Sequence, residues 1–292
     1  MVGIVSFTPM AENLTPLHPD VGVELAAPEG VQPAQLRHLA AQYGCVLVRS
    51  QDLPPPDLLA LAHGLGVPLP PYRPQYSVSG FPEIVQVGNL PEKGKPSAYL
   101  NRGGVEWHTD SPGSSHPAGC SLLYCLESEI PDGGGETGFA STVTGYLALP
   151  DDIRTKIAEV ELVHSFNTFN DKVAAYADST VPAQDGELRT RNADTVDCLV
   201  QTHPLTGDRL IYVSHAMVKG FLGIEAEQGR EMVAEHVDRL TAPERIYKHQ
   251  WRPGDLMVFD NRSCLHTPFP YAYDDYPRTR RLLHQIIIGA RA

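Results

Sequence analysis

The residues best suited to chemistry are histidines and aspartates two positions apart. His-x-Asp occurs three times in the 292 residues, as His18-Pro19-Asp20, His108-Thr109-Asp110 and His236-Val237-Asp238. Imidazole nitrogen and carboxylate oxygen together are a donor set for non-haem iron. Backbone geometry decides which pair can share one ion. Residues i and i+2 of a strand point to the same side, whereas on a helix they diverge by about 200°. His236 and Asp238 lie in a stretch of helical periodicity and read as a solvated face. His18 and Asp20 flank a proline near the N-terminus and read as a surface turn. His108 and Asp110 follow Trp107 in a β-rich context and are the candidate ligands.

Two such ligands do not hold a catalytic iron. The usual arrangement is two histidines and one carboxylate on one face, with three positions open. The third ligand has to come from far along the chain, and His266 is the candidate, after a strand-like run and the triplet Asp260-Asn261-Arg262. Arg278, Arg280 and Arg281 follow, leading into a last apolar run. A guanidinium there can grip a dicarboxylate by a two-pronged contact. Period-2 counting puts Arg281 on one strand face with Leu283 and Gln285.

These side chains need a scaffold. Periodicity and stop signals predict helices over 31–43, ending at Gly44, over 57–64 behind Pro54-Pro55-Pro56, over 153–160 and over 225–241. Strands are predicted over 45–49, 84–87, 120–126, 162–165, 210–213, 255–259 and 281–288. Residues 68–76 read as a Pro/Tyr-rich loop. Many short strands between Gly/Pro turns predict a mainly β fold with flanking helices, an antiparallel sandwich or jelly roll. The polar stretch 167–197 has little periodicity and reads as a lid or mobile insert. With no repeat and no linker, residues 1–292 are expected to form one domain.

Composition narrows the partners. The net charge is -12 and no Lys/Arg-rich run occurs, which argues against nucleic acid and acidic membranes as partners. No apolar run approaches the ~20 residues that cross a bilayer, and residues 1–12 lack a basic segment followed by an apolar one. Cys45, Cys120, Cys125, Cys198 and Cys264 are scattered, without Cys-x-x-Cys. They read as free buried thiols of a reducing cytoplasm, not as a zinc cluster. A cytoplasmic protein acting on a small molecule is the expectation.

Several segments, taken in order, resemble one family. They are Trp107-His108-Thr109-Asp110, Gly134-Gly135-Glu136-Thr137, Thr202-His203-Pro204-Leu205-Thr206-Gly207, Trp251-Arg252-Pro253-Gly254-Asp255, Asp260-Asn261-Arg262 with His266, and Arg280-Arg281-Leu282-Leu283-His284. Over residues 21–289 the chain resembles the taurine dioxygenase-like (TauD/TfdA) branch of the Fe(II)/2-oxoglutarate-dependent dioxygenases. The resemblance implies a double-stranded β-helix, a cupin-like jelly roll with helices outside. It implies Fe(II) on His108, Asp110 and His266. It also implies 2-oxoglutarate held by Thr137 and Arg281, and O2 as oxidant. The reaction implied is oxidation of a small organic substrate by hydroxylation, desaturation or epoxidation, with release of succinate and CO2. Dimeric and tetrameric relatives lean the expectation towards a homo-oligomer.

The chain departs from the taurine pattern where that family grips a sulfonate. Gln285 stands where taurine-type enzymes have an arginine, Gly104 where they have an asparagine, and Tyr72 near a histidine position. The expected substrate is therefore not taurine or another alkyl sulfonate. Tyr72, Tyr76 and Gln285, with part of 167–197, suggest a neutral or weakly polar molecule, and Arg73 can pair with a carboxylate. A tailoring step in natural-product biosynthesis (secondary metabolism) fits such a pocket. The rivals are a catabolic dioxygenase of the same family, a non-catalytic metal-binding cupin-like protein, and a zinc hydrolase or isomerase. His164, His203 and His284 read as structural, Arg262 as the brace of a turn, and Arg278 and Arg280 as solvent-facing, with Arg280 the reserve for Arg281.

Overall fold

Apolar residues on both faces of a run demand cover on both sides, and the strands over 45–48, 118–129 and 256–260 have that character. The computed structural model describes residues 13–26, 28–92, 95–96, 106–110, 112, 117–131, 133–175, 186–275 and 278–290. The elements in order begin with β1 (Leu14–Pro16), β2 (Val23–Leu25), α1 (Pro33–Tyr43), β3 (Cys45–Val48) and α2 (Pro55–Leu65). Next come β4 (Ser77–Val78), β5 (Phe81–Gly88), β6 (Pro91–Glu92), β7 (Lys95–Pro96), β8 (Ala118–Glu129) and β9 (Thr137–Ser141). The middle holds α3 (Thr142–Leu147), α4 (Asp151–Ile157), β10 (Glu161–His164), α5 (Phe166–Ala174), α6 (Gly186–Arg191), β11 (Thr195–Cys198), β12 (Val200–Thr202), β13 (Arg209–Ile211) and β14 (Val218–Phe221). The chain closes with α7 (Ala226–Leu240), β15 (Tyr247–His249), β16 (Leu256–Asp260), β17 (Cys264–Pro268) and β18 (Arg280–Gly289).

The largest sheet has eight strands in the order β1-β2-β3-β16-β8-β18-β5-β4. Its pairs are antiparallel except β2 with β3. Alternation sorts its side chains into two cores. Val46, Val48, Leu122, Tyr124, Val258, Ile286 and Ile288 face one way, where Leu36 and Leu39 of α1 and Leu58, Ala62 and Leu65 of α2 cover them. Cys45, Leu47, Leu123, Met257, Phe259 and Leu283 face the other way, against Phe139, Trp251 and Cys264. That second layer is the three-stranded sheet β15-β9-β17. A third core joins α3, α4 and α7 to β10, β12 and β13 through Tyr146, Ile157, Leu162, Val200, Ile211, Val237 and Leu240.

Local chemistry explains the element ends. Pro33 sits in the first turn of α1, where its missing N–H costs nothing, and Gly44 ends the helix at φ 85°. Pro55 and Pro56 start α2 instead of breaking the chain ahead of it. Residues 167–197 are more regular than their polarity suggests: they supply most of α5, all of α6 and most of β11, which pairs with β10. Residues 176–185 of that stretch lie outside the described residues.

Several expectations are corrected. His236 is on a helix, but it is buried at 4% exposure, so only Asp238 faces solvent. The burial comes from its place on the inward stripe of α7 beside Val237 and Leu240. Arg280 is half-buried and ion-paired with Glu127 at 2.7 Å, because β18 runs beside β8 in that register. Cys198 is exposed, while the other four cysteines are buried, and none of the five is in a disulfide. The expected turn at His18 and Asp20 is present, with the Asp20 amide donating to His18 Nδ1. Among the described residues, no helix is long and apolar enough to cross a membrane.

Candidate active site

His108, Asp110 and His266 come together, their ligand atoms all within 4.8 Å of one another. β17 presents His266, and a single bridge aligns residue 108 beside it. The two residues exchange backbone hydrogen bonds, and their rings lie 4.1 Å apart. Asp110 follows on the same side as His108, as i+2 spacing in extended chain requires. Phe259 packs against the His266 ring at 4.6 Å, which fixes the imidazole without competing for its nitrogens.

The protonation states suit a cation. His108 Nδ1 lies 2.9 Å from the Glu106 carbonyl oxygen. A carbonyl only accepts, so Nδ1 carries the proton and the Nε2 lone pair is open. Burial holds His266 well below the ordinary histidine range, and the neighbouring His108 adds to this. Desolvation also lowers His108. Burial raises the Asp110 carboxyl, opposed by His108 and by the Ser121 hydroxyl. Ser121 donates to Asp110 Oδ2 at 2.6 Å, while Oδ1 lies 3.8 Å from His266 Nε2. Two neutral imidazoles and one buried carboxylate fit a divalent metal, which would relieve the cost of burying the carboxylate.

A second polar centre lies on the same cavity. Arg281 of β18 is buried, and its Nε donates to the Gly135 carbonyl at 3.1 Å. Its guanidinium stands 6.0 Å from the Tyr271 ring centre. Among the described residues no carboxylate pairs with it, and desolvation lowers its pKa. Thr137 Oγ1 accepts from Trp251 Nε1 at 2.9 Å and from Arg281 at 3.5 Å. With both lone pairs engaged, the Thr137 hydroxyl proton is left for an acceptor in the cavity, which Thr137 lines. The glycine turn is required here. Gly134 and Gly135 both have positive φ, and a Cβ on Gly135 would lie 2.2 Å from Ile130 Cδ1.

The cavity, about 200 Å³, joins the two centres. Leu283, Gln285 and Ile287 share its wall with Arg281, in step with period 2, and Phe166 and Phe169 enter from α5. Tyr72 lines it, stacked on Phe166 at 4.2 Å. Arg73 lines it too, donating to Asn170 Oδ1 at 3.0 Å. Tyr76 does not line it: it is buried in the turn 74–76, pointing into the fold. Gly104 lies outside the described residues. Asn170 and Met217 carried no sequence signal, because an amide on a polar helix and a methionine in a loop are ordinary there. Trp251 and Asn261 stood inside motifs without a visible partner.

The other histidines hold the framework. His164 pairs with Asp197 at 2.9 Å and accepts from the Ser214 amide. His203 pairs with Asp260 at 3.1 Å. His284 differs from this pattern: its buried Nδ1 has no hydrogen-bond partner among the described residues, and burial lowers its pKa to about 4. Arg262 braces its turn through its amide to Asp260, while its side chain reaches Gln201. Arg278 is exposed.

Comparison with known proteins gives consistent matches. The family model described as taurine catabolism dioxygenase TauD, TfdA family, matches residues 10–286. Pentalenolactone F synthase of Streptomyces avermitilis is 28% identical over 219 residues, covering 70% of this chain and 68% of that protein. The (S)-phenoxypropionate/alpha-ketoglutarate-dioxygenase of Sphingobium herbicidovorans is 25% identical over 277 residues, covering 92% and 90%. Among solved structures, AAD-2 in complex with Mn(II) and N-oxalylglycine superimposes with a TM-score of 0.77 at 23% identity, covering 96% of this chain and 98% of that one.

Proposed function

The chain belongs to the TauD/TfdA family of α-ketoglutarate-dependent dioxygenases, and from there we propose that His108, Asp110 and His266 hold the metal at which it oxidises a largely apolar small molecule other than taurine. Membership implies 2-oxoglutarate, O2 and iron. Iron held by these three residues would supply the chemistry that links decarboxylation of 2-oxoglutarate to succinate with oxidation of the substrate.

The observation that carries this reading is the buried Arg281 guanidinium, without a carboxylate partner among the described residues, on the same cavity as the His-Asp-His cluster. A buried cation without a counter-charge is costly, and the distal carboxylate of 2-oxoglutarate supplies one. Thr137 donates its remaining proton to the same group. The apolar wall of Leu69, Val85, Phe166, Phe169 and Ile287 excludes water from the reacting centre. Arg73, steadied by Asn170, is the group for a polar or anionic end of the substrate, and Gln285 and Tyr72 complete that wall.

The architecture follows as a double-stranded β-helix, a jelly-roll core in one domain, with α5 as part of a lid. Support comes from two sheets, antiparallel but for the β2–β3 pair, that share a core and line the cavity. A relative named for pentalenolactone F favours a natural-product tailoring step, and one named for phenoxypropionate supports catabolism as the second reading.

Anaerobic addition of Fe(II) and 2-oxoglutarate tests the proposal. A visible metal-to-ligand charge-transfer band is expected, and succinate release in air then reports candidate substrates. Absence of the band in folded, iron-loaded protein would sink the oxygenase reading. Taurine-dependent succinate release would sink the claim about the substrate alone.

A further inference from the structure

Asp110 is held from both ends by two side chains whose hydrogen-bond directions can be deduced. The Asp110 amide donates to Asn261 Oδ1 at 3.0 Å. A backbone N–H can only donate, so this contact identifies the amide oxygen of Asn261 and places its nitrogen on the other side. That nitrogen donates to Ser121 Oγ at 2.9 Å. The serine oxygen is thus an acceptor towards Asn261, and its single proton goes to Asp110 Oδ2 at 2.6 Å. Thr109 Oγ1 donates to the Asn261 carbonyl and locks the same turn. Ser121 and Asn261 are buried at 0% and 1% exposure, so water cannot substitute for either donor.

The chain has one further consequence for Asp110. Oδ2 is tied back into β8 and Oδ1 alone is turned towards His266. From this geometry, and resting on the reading of the site given above, we infer that Ser121 and Asn261 are positioning residues that make Asp110 a one-oxygen metal ligand. A carboxylate free to rotate would offer both oxygens and occupy a second position on the ion. Three protein ligands leave three positions on the ion, and a keto acid held through two atoms together with O2 would use all of them. The relay therefore protects the co-substrate's place, and its loss should weaken 2-oxoglutarate binding more than metal binding.

The test compares wild type with Ser121→Ala, which removes the proton, and Ser121→Thr, which keeps a hydroxyl. Anaerobic titration measures Fe(II) affinity, then 2-oxoglutarate affinity of the Fe(II)-loaded protein. Loss of an outer partner of a metal ligand typically costs about 10–100-fold in metal affinity or activity. Ser121→Ala should lose 2-oxoglutarate affinity by about tenfold or more, with a smaller loss for Fe(II) and partial recovery in Ser121→Thr. Infrared difference spectra of the wild type with isotope-labelled aspartate give a check that needs no variant. Metal loading should widen the separation of the two carboxylate stretches, the signature of one-oxygen ligation. Unchanged 2-oxoglutarate affinity in a folded Ser121→Ala protein, or a narrow separation in wild type, would overturn the inference while the dioxygenase reading stands. Wild type that takes up no Fe(II) would remove that reading and the inference with it.

Discussion

His108 and His266 exchange both of their backbone hydrogen bonds, at 3.0 and 2.8 Å, so the two imidazoles are fixed to each other by main chain before any metal arrives. Their side chains need only favourable rotamers to converge. This separates folding from metal binding at the site. His266→Ala should leave the bridge and the β9–β17 pairing intact. Fe(II) affinity should fall by more than about 100-fold, beyond what loss of an outer partner costs, while the thermal transition of the metal-free protein moves little. Equilibrium dialysis and calorimetry of the metal-free protein check both halves. A variant that retains Fe(II) would exclude His266 as a ligand.

Arg281 makes a prediction of opposite sign for stability and for binding. Without a bound dicarboxylate, its burial is a cost, and exchanging buried charge for apolar volume is often neutral or stabilising by about 1–4 kcal/mol. Arg281→Met should therefore leave the metal-free protein as stable as wild type or more so. Each charge-assisted hydrogen bond to the ligand contributes about 1.5–3 kcal/mol, so 2-oxoglutarate affinity should fall by roughly two orders of magnitude. A loss of stability together with unchanged 2-oxoglutarate affinity would remove Arg281 from the site.

His284 makes a pH prediction. Burial lowers its pKa to about 4, below the ordinary value near 6.5. The unfolded chain therefore binds a proton in a range where the folded chain does not. Stability from this group is full above about pH 6.5 and declines as pH falls towards 4. The amount is at most on the order of 3 kcal/mol. Denaturant unfolding of wild type and His284→Gln between these limits should show a steeper loss for wild type. Parallel curves would mean that His284 titrates normally.

Legibility differed from element to element, and the physical reason is burial pattern. β18 was readable because its run of leucines and isoleucines is rich in strand-forming residues, and period-2 counting along it placed Arg281, Leu283 and Gln285 on the cavity. β16 was readable as a continuous apolar run. β9 and β17 were not predicted as strands, though they carry Thr137 and His266. Each has five residues, with four or five of them buried, so neither shows alternation, and glycine, serine, cysteine and proline dilute the β signal. The stretch 167–197 looked irregular because α5 is short and its apolar side chains, Phe166 and Phe169, line the cavity and pack on a small cluster with Ala216 and Met217 from a distant segment. Ser121 was invisible within an apolar strand, since its side-chain partners among the described residues, Asp110 and Asn261, arrive from distant segments.

The glycine turn before β9 links the fold to the co-substrate site most directly. Gly135 has φ 70°, its carbonyl accepts from Arg281 Nε, and the only space for a Cβ is occupied by Ile130. Gly135→Ala forces a left-handed alanine, at about 1–2 kcal/mol, and pushes either Ile130 or the turn aside. Moving the turn takes the carbonyl away from Arg281 and shifts Thr137, two residues on. The variant should therefore fold with a modestly lower melting temperature, hold Fe(II) normally on a triad it does not touch, and bind 2-oxoglutarate several-fold more weakly. Gly133→Ala is the control, because nothing lies near its Cβ although its φ is also positive at 79°. It should show the backbone cost without the loss of 2-oxoglutarate affinity. Equal loss in both variants would trace the effect to general loosening of the turn, and the assignment of the Gly135 carbonyl as a support for Arg281 would fall.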